Sequence, residues 1–168
     1  MKKTIFILLF GLLISSCSIS YQFNGASVDY NIVKTISIQD FPNQAQLVVP
    51  TLSATFSDAL RNKFTRQTRL RTVNSNADLE LEGEITDYGV KNLAVRGEDA
   101  LATMAELSVT VKVRYTNNKR PSDDLQQSFT SSQSFSQTLT IDQVQDELIT
   151  KIVDDLVDQI YNATLGNW

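Results

Sequence analysis

The chain has 168 residues, of which 42% are hydrophobic and 20% are charged, and its formal net charge is −4. These values lie close to globular averages, so they exclude a collagen-like or wholly disordered chain. The acidic balance also argues against bulk binding of nucleic acid, which depends on neutralised phosphates.

The first 16 residues have the pattern of a secretory leader. Lys2 and Lys3 precede ten uncharged residues, 5–14. This run is too short to span a bilayer comfortably, since a transmembrane helix needs about 20 apolar residues. Cleavage before Cys17 leaves 152 residues with 13 bases and 19 acids, a net charge of −6. That length is enough for one domain with a sizeable core.

Cys17 is the only cysteine, so the chain cannot form an intramolecular disulfide. The sequence Ile14-Ser15-Ser16-Cys17 is similar to the lipobox of bacterial lipoproteins, in which the cysteine is acylated and becomes the new N-terminus. A leftover free thiol is the alternative, and in an oxidising compartment it is a liability. We expect lipidation at Cys17, a tether over residues 17–30 and one domain over residues 31–168. Buried acyl chains would then hold the protein on a membrane.

The residues after Cys17 bear on which membrane that is. Ser18 follows the cysteine, where an aspartate would retain many lipoproteins at the inner membrane, and no cluster of acids follows. By these sorting rules we expect the periplasmic side of the outer membrane.

The mature chain begins with a predicted strand and a predicted helix. Residues 32–39 alternate loosely and carry β-branched side chains, which predicts a first strand. Two prolines indicate a loop over residues 40–50, and Pro50 suits the first turn of a helix. An amphipathic helix to about Gln67 is predicted by apolar residues at every fourth position: Leu52, Phe56, Leu60 and Phe64.

Three strands with a period of two follow. The first starts at Ala77 and has an acidic outer face: Asp78, Glu80, Glu82 and Glu84. A loop is predicted from about residue 89 to residue 101. Residues 105–116 then alternate strictly, and residues 117–121 form a turn. Residues 125–138 are mostly Ser, Thr and Gln, yet Leu125, Phe129 and Phe135 keep the register of a strand.

A second helix completes the predicted domain. Thr140 to Gln143 fits a capping box, and apolar residues recur from Val144 to Ile160 with helical spacing. The order β-α-β-β-β-α predicts an α+β fold, a four-stranded, mostly antiparallel sheet with two helices packed on one face. The residues expected between sheet and helices are Phe56, Leu60, Val109, Val111, Leu148 and Leu156.

The residues needed for catalysis are largely missing. The chain has no histidine, the commonest general base and metal ligand, and no glycine-rich phosphate loop. The acidic row from Asp78 to Glu84 contains carboxylates of the kind that glycosidases use in pairs. A solvated strand face that pairs with Lys112 and Arg114 is the stronger interpretation. We therefore expect no catalytic residue, metal, cofactor or nucleic acid.

Basic residues are expected to gather at one end of the domain. The first helix ends in a basic connection, and the predicted topology places it beside the turn after residue 116 and near the lipidated N-terminus. Such an end suits membrane or lipid phosphates, whereas the alternative is a dipole-matched helix end beside an ordinary polar turn. The candidate contacts to lipid or phosphate are Arg66, Arg69, Arg71, Lys119 and Arg120.

Four stretches carry a family resemblance: YQFNGASV, TISIQDF, LSATFSDALRNKFTRQTRLRTV and ADLELEGEITDY. With the lipoprotein leader before them, they resemble the LptE family of lipopolysaccharide-assembly lipoproteins over nearly the whole mature chain. The resemblance implies a non-enzymatic partner that sits inside the large outer-membrane β-barrel LptD. There it assists barrel assembly and the insertion of lipopolysaccharide, which is itself a candidate ligand. Two alternatives remain open: another outer-membrane lipoprotein adaptor, such as a secretion pilot or envelope-assembly factor, and a hydrolase that uses carboxylates.

The last predicted strand offers a surface for such a partner. Its outward row is uncharged: Gln126, Ser128, Thr130, Ser132, Ser134, Ser136 and Thr138. Short neutral side chains suit a polar barrel lumen because they bury no unpaired charge there. Ordinary strand propensity is the alternative. A loop over residues 88–101 would lie at the far end from the lipid, so the candidate partner contacts are Arg96, Ser132 and Ser134.

Overall fold

Two α-helices and a five-stranded sheet make up the computed structural model, which describes residues 28–93 and 103–165. The strands are β1 (Thr35–Ile38), β2 (Arg71–Thr72), β3 (Leu79–Leu93), β4 (Met104–Asn117) and β5 (Leu125–Ser136). The helices are α1 (Leu52–Gln67) and α2 (Ile141–Thr164), and a short 3-10 turn spans Pro121–Asp123. The lipidation site Cys17 and the candidate contact Arg96 lie outside the described residues.

The predicted α+β architecture is confirmed, but the predicted strand count is wrong. The strand order is β2-β1-β3-β4-β5. β3, β4 and β5 form antiparallel pairs, whereas β1 runs parallel to both β2 and β3. The missed strand is β2, which pairs Arg71 with Thr35 and Thr72 with Ile36. Two residues are too few to show a period, so only the neighbouring edge of β1 makes them a strand.

β3 continues to Leu93, where the sequence predicted a loop from about residue 89. A register shift between Ile85 and Asp87 inserts one extra residue, Thr86, opposite β4. Such a bulge turns the side chains that follow to the opposite face. Tyr88 therefore points toward the helices, where its hydroxyl lies 3.2 Å from Gln145 Oε1. The predicted strand ended too early because the bulge breaks the period of two.

The core lies between the sheet and the two helices. All six residues predicted to be buried there are less than 7% exposed. The rings of Phe41 and Phe56 pack edge to face with their centroids 5.1 Å apart, and the rings of Phe64 and Tyr161 do so with their centroids 5.4 Å apart. Both aromatic pairs fasten α1, the first to the segment after β1 and the second to α2. The helices thus cover one face of the sheet and leave the other face open.

Gly83 occupies a core-facing position of β3 because Phe41 needs the space. A Cβ added to Gly83 would lie 2.5 Å from the Phe41 ring and would also collide with the backbone carbonyl of Lys112. Real Cβ atoms do not approach other atoms so closely, so any larger residue would displace the ring or the strand.

The second helix begins as predicted. Thr140 is the N-cap of α2, and its backbone N–H donates to Gln143 Oε1 at 2.9 Å. This is the reciprocal bond of a capping box, which satisfies a main-chain donor that the helix itself leaves unpaired. Neither helix in the described ranges has an apolar stretch long enough to cross a membrane.

Candidate functional site

The open face of the sheet changes character from β3 to β5. Near the start of β3 it is charged, because Arg114 of β4 forms an ion pair with Glu82 and the register places Lys112 opposite Glu84. A groove of about 350 Å³ lies over these residues. The interpretation of the acidic row as cross-strand partners is confirmed for Glu82. Within residues 28–93 and 103–165, no three acidic or cysteine side chains come together as a metal site would require.

Along β5 the same face carries only uncharged side chains. The register sets Thr110 opposite Thr130, with their hydroxyls 2.9 Å apart, and Ser108 opposite Ser132. Ser134 follows opposite Glu106, and both Ser132 and Ser134 are exposed. The uncharged row predicted from the sequence lies on this face from Gln126 to Ser136. Thr138 falls beyond the end of β5, in the turn before α2.

Two of the five candidate basic residues are held by acids. Lys119 Nζ lies 3.1 Å from Asp78 Oδ1, and one guanidinium nitrogen of Arg120 lies 3.5 Å from Asp123 Oδ2. The sequence prediction missed both pairs, because Asp78 was assigned to a solvated row and Asp123 was given no role. Asp78 and Asp123 therefore partly neutralise the charges of Lys119 and Arg120, which weakens their attraction for a phosphate.

The other three candidates form no ion pair within the described part of the chain. Arg71 lies at the same end as Lys119. Its backbone N–H donates to the carbonyl of Lys34, and the backbone N–H of Lys34 donates to Asp78, the ion-pair partner of Lys119. Arg69 lies near Tyr30, whose phenol pKa is raised by burial while Arg69 opposes the rise. Arg66 is set apart, because it lines a groove of about 440 Å³ between the two helices.

Asp78 is the residue whose importance the sequence did not reveal. Its carboxylate accepts hydrogen bonds from the backbone N–H groups of Lys34 and Thr35 at 2.9 and 3.1 Å, and from the Thr35 hydroxyl at 3.0 Å. The bond from Lys34 is the main cause that lowers the pKa of Asp78 to about 2. Asp78 therefore joins β1 to the start of β3 and, through Lys119, to the turn after β4. The available signal was its place directly before the first apolar residue of the strand.

The outer surface of α2 contrasts with the open sheet face because it is acidic. It carries one base, Lys151, which lies 2.7 Å from Glu147. Another acid, Asp158, lies 2.6 Å from Lys63 of α1. The exposed acids of α2 are Asp142, Asp146, Glu147, Asp154, Asp155 and Asp158. The domain thus presents an acidic helix side and a neutral strand side.

A family model named LptE and described as lipopolysaccharide-assembly matches residues 33–164, from just before β1 to the last residue of α2. The chain belongs to the LptE family. Members of the LptE family are non-enzymatic proteins of lipopolysaccharide assembly, and the chain is accordingly a bacterial outer-membrane lipoprotein of that process. Of the three functional classes considered from the sequence, family membership supports lipopolysaccharide assembly.

Solved structures show the same fold at low identity. A minor lipoprotein from Acinetobacter baumannii is 19% identical with a TM-score of 0.50, and the match covers 75% of this chain and 93% of that one. The protein CT253 from Chlamydia trachomatis is 12% identical with a TM-score of 0.53, and the match covers 80% and 99%. Identities this low indicate a shared fold alone. No curated protein sequence matches the chain.

Proposed function

We propose that this LptE-family protein acts without catalysis as a plug and assembly partner of the outer-membrane β-barrel LptD, and so aids the insertion of lipopolysaccharide into the outer leaflet. The observation that carries the proposal is the uncharged row on the open face of β5, where Ser132 and Ser134 are exposed. A barrel lumen is polar and wet, so short hydroxyl side chains can exchange water for lumen groups without stranding a charge.

The distribution of charge supports one orientation in that lumen. A surface that serves only solubility normally mixes Lys and Glu among its polar residues. β5 has no charged residue at all, whereas α2 has six acids. We therefore propose that the open face near β5 contacts the barrel wall and that the outer side of α2 remains in water.

Site-specific crosslinking tests this orientation. Photo-crosslinkers at Ser132, Ser134 and Arg96 are expected to capture LptD, and matched crosslinkers at Asp146 and Thr150 on the outer side of α2 are expected to capture little. Capture from the α2 positions alone would contradict the orientation. Failure of tagged wild-type protein to bring LptD out of detergent-solubilised outer membranes would contradict the partnership itself.

We further propose that residues 1–16 are removed, that Cys17 is acylated, and that residues 17–30 tether the domain to the periplasmic side of the outer membrane. Cys17→Ala is expected to abolish incorporation of a labelled fatty acid and to leave an uncleaved precursor. Behind a different signal peptide, the same variant is expected to give a soluble, folded periplasmic domain, since the described core lies between the sheet and the two helices. Label retained by Cys17→Ala would contradict the anchoring.

The exposed arginines support a separate proposal about lipid phosphate. Arg66, Arg69 and Arg71 are exposed and carry no ion pair among the described residues, so their charges are available to lipopolysaccharide or anionic lipid. Charge reversal at these three positions is expected to weaken binding to anionic vesicles, and added salt is expected to do the same. Lys151→Glu on α2 is the matched control. Binding that neither charge reversal nor salt changes would contradict this role. We propose the same role for Lys119 and Arg120 only when a phosphate displaces their ion-pair partners Asp78 and Asp123.

A further inference from the structure

The outer edge of β5 lacks the features that normally protect an edge strand. β5 is the last strand of the sheet, so one of its sides has no strand partner among residues 28–93 and 103–165. Its 12 residues include no charge and no proline, and its pairing with β4 shows no bulge. Protected edges are usually short, charged, bulged or interrupted by proline, because a bare edge is a template for another strand.

The hydrogen-bond pattern shows which main-chain groups of β5 face that edge. Gln137 N–H donates to the Thr103 carbonyl at 3.0 Å, which assigns the odd-numbered residues of β5 to the ladder with β4. The even-numbered residues therefore point their N–H and C=O groups outward. The side chain of Gln159 agrees with this, since its Nε2 reaches the Thr130 carbonyl at 3.5 Å. From Gln126 to Ser134 the edge can accept a further strand once the long 3.5 Å bond from Gln159 releases the Thr130 carbonyl.

The charge beside the edge determines what kind of strand fits. The Gln159 amide also donates to Asp155 Oδ2 at 2.9 Å, so the carboxylate of Asp155 lies at the rim of the edge. A second copy of this chain that paired β5 with β5 about a two-fold axis would bring its own acidic α2 toward this one. Repulsion between the two acidic helices would destabilise that pairing, whereas a strand that carries Lys or Arg complements the charge of Asp155.

We propose that the free edge of β5 binds an extended segment of LptD as a sixth strand, with short uncharged side chains on the open face and a basic residue near Asp155. Taking LptD as the partner rests on the function proposed above. A closed barrel leaves no strand edge free, so the segment belongs to a loop or a terminal extension of the barrel protein. Main-chain bonds give such strand addition its affinity, and the side chains give its specificity.

Proline and alanine variants at the same two positions distinguish binding through the main chain of the edge from binding through its side chains. Ser128→Pro and Ser132→Pro each remove one outward N–H and spare the ladder with β4. The matched variants Ser128→Ala and Ser132→Ala keep the N–H and remove only the hydroxyl. Full-length tagged protein is used to capture LptD from detergent-solubilised outer membranes. Proline variants that melt like the wild type are expected to capture at least about tenfold less LptD, and alanine variants within about twofold of the wild type.

Two charge-reversal variants on α2 give a second test that does not depend on proline. Asp155→Lys is expected to reduce capture several-fold because it repels the basic segment. Asp154→Lys is the matched control, since Asp154 lines the groove toward Asn62 and Arg66 of α1 and lies away from the β5 edge. Should the proline variants fail to fold, equal capture by the two lysine variants would overturn the docking site.

The outcomes also separate this docking site from the proposed function. Full capture by folded proline variants, or an equal loss in the alanine variants, would overturn the edge while the partnership with LptD stands. No capture of LptD by the wild type would overturn the partnership and the docking site together. A concentration-dependent dimer of the wild type that Ser132→Pro abolishes would assign the edge to a second copy and would overturn the proposal.

Discussion

The two faces of the sheet are built from the same strands, yet different forces select their residues. The covered face carries Leu, Ile, Val and aromatic side chains that the helices bury, so its composition follows from burial of apolar surface. The open face carries ion pairs near β3 and hydroxyl groups along β5, and packing dictates neither choice. On the open face the sequence is therefore free to serve a partner, whereas on the covered face it is committed to stability.

The largest effect is expected from removing apolar volume on the covered face. Leu156 is fully buried, and we expect Leu156→Ala to lower the free energy of unfolding by about 2–5 kcal/mol, through lost burial and the cavity left behind. Chemical denaturation measures the loss. Ser134→Ala on the open face is the matched truncation, with an expected change of less than about 0.5 kcal/mol. Similar losses in both variants would mean that the two faces do not differ in this way.

The next largest effect is expected at Asp78, where a polar residue acts structurally. Because folding lowers its pKa from 3.8 to about 2, its contribution is complete above pH 4 and is lost as the pH falls toward 2. Asp78→Asn is expected to cost roughly 1–3 kcal/mol at pH 7, since the charged acceptor of backbone N–H groups is gone.

Denaturation at pH 7 and pH 3 checks the origin of that loss. The wild type should lose stability over this interval, and Asp78→Asn should lose less of it. Glu84→Gln, which neutralises an acid of β3 without an ion pair among the described residues, is the control for the loss of one negative charge. Parallel losses in all three proteins would contradict the role of Asp78.

A smaller effect is expected for the ion pair between Glu82 and Arg114 on the open face. About half of each side chain is exposed, so water and salt screen the pair, and a double-mutant cycle should give a coupling energy of about 0.2–1 kcal/mol. The coupling should fall further in 1 M salt. A value above about 2 kcal/mol would show that the open face contributes to stability as the covered face does.

The smallest effect is expected at Ser131, a buried polar residue on the covered face. Its hydroxyl is buried and has no hydrogen-bond partner within the described residues. Ser131→Ala removes the unpaired group, so the free energy of unfolding is expected to stay the same or to rise by no more than about 1 kcal/mol. A thermal melt measures the change. A clear fall would indicate that the hydroxyl finds a partner in solution.

Much of the fold was predictable because its signals are local. The repeat of Leu52, Phe56, Leu60 and Phe64 and the strict alternation of β4 each report which face of an element is buried, and both predictions were confirmed. The parts that failed depend on neighbours distant in sequence. β2 exists only because β1 offers it an edge, and the extension of β3 depends on one inserted residue, Thr86. The site is divided in the same way, since the row on β5 could be seen in the sequence, whereas the pairing of Lys119 with the distant Asp78 could not.

The sequence by itself determined the class of fold, the buried face of each long element, the family and the neutral row of β5, because periodicity and composition are properties of neighbouring residues. Only the tertiary structure decided that Asp78 joins β1, β3 and the turn after β4. It also decided that Lys119 is paired with Asp78. The even-numbered residues of β5 from Gln126 to Ser134 likewise point their main-chain groups to an edge that has no strand partner among the described residues. These features depend on which distant segments meet, and a hydrogen bond or an ion pair exists only when folding brings both of its partners within about 3–4 Å.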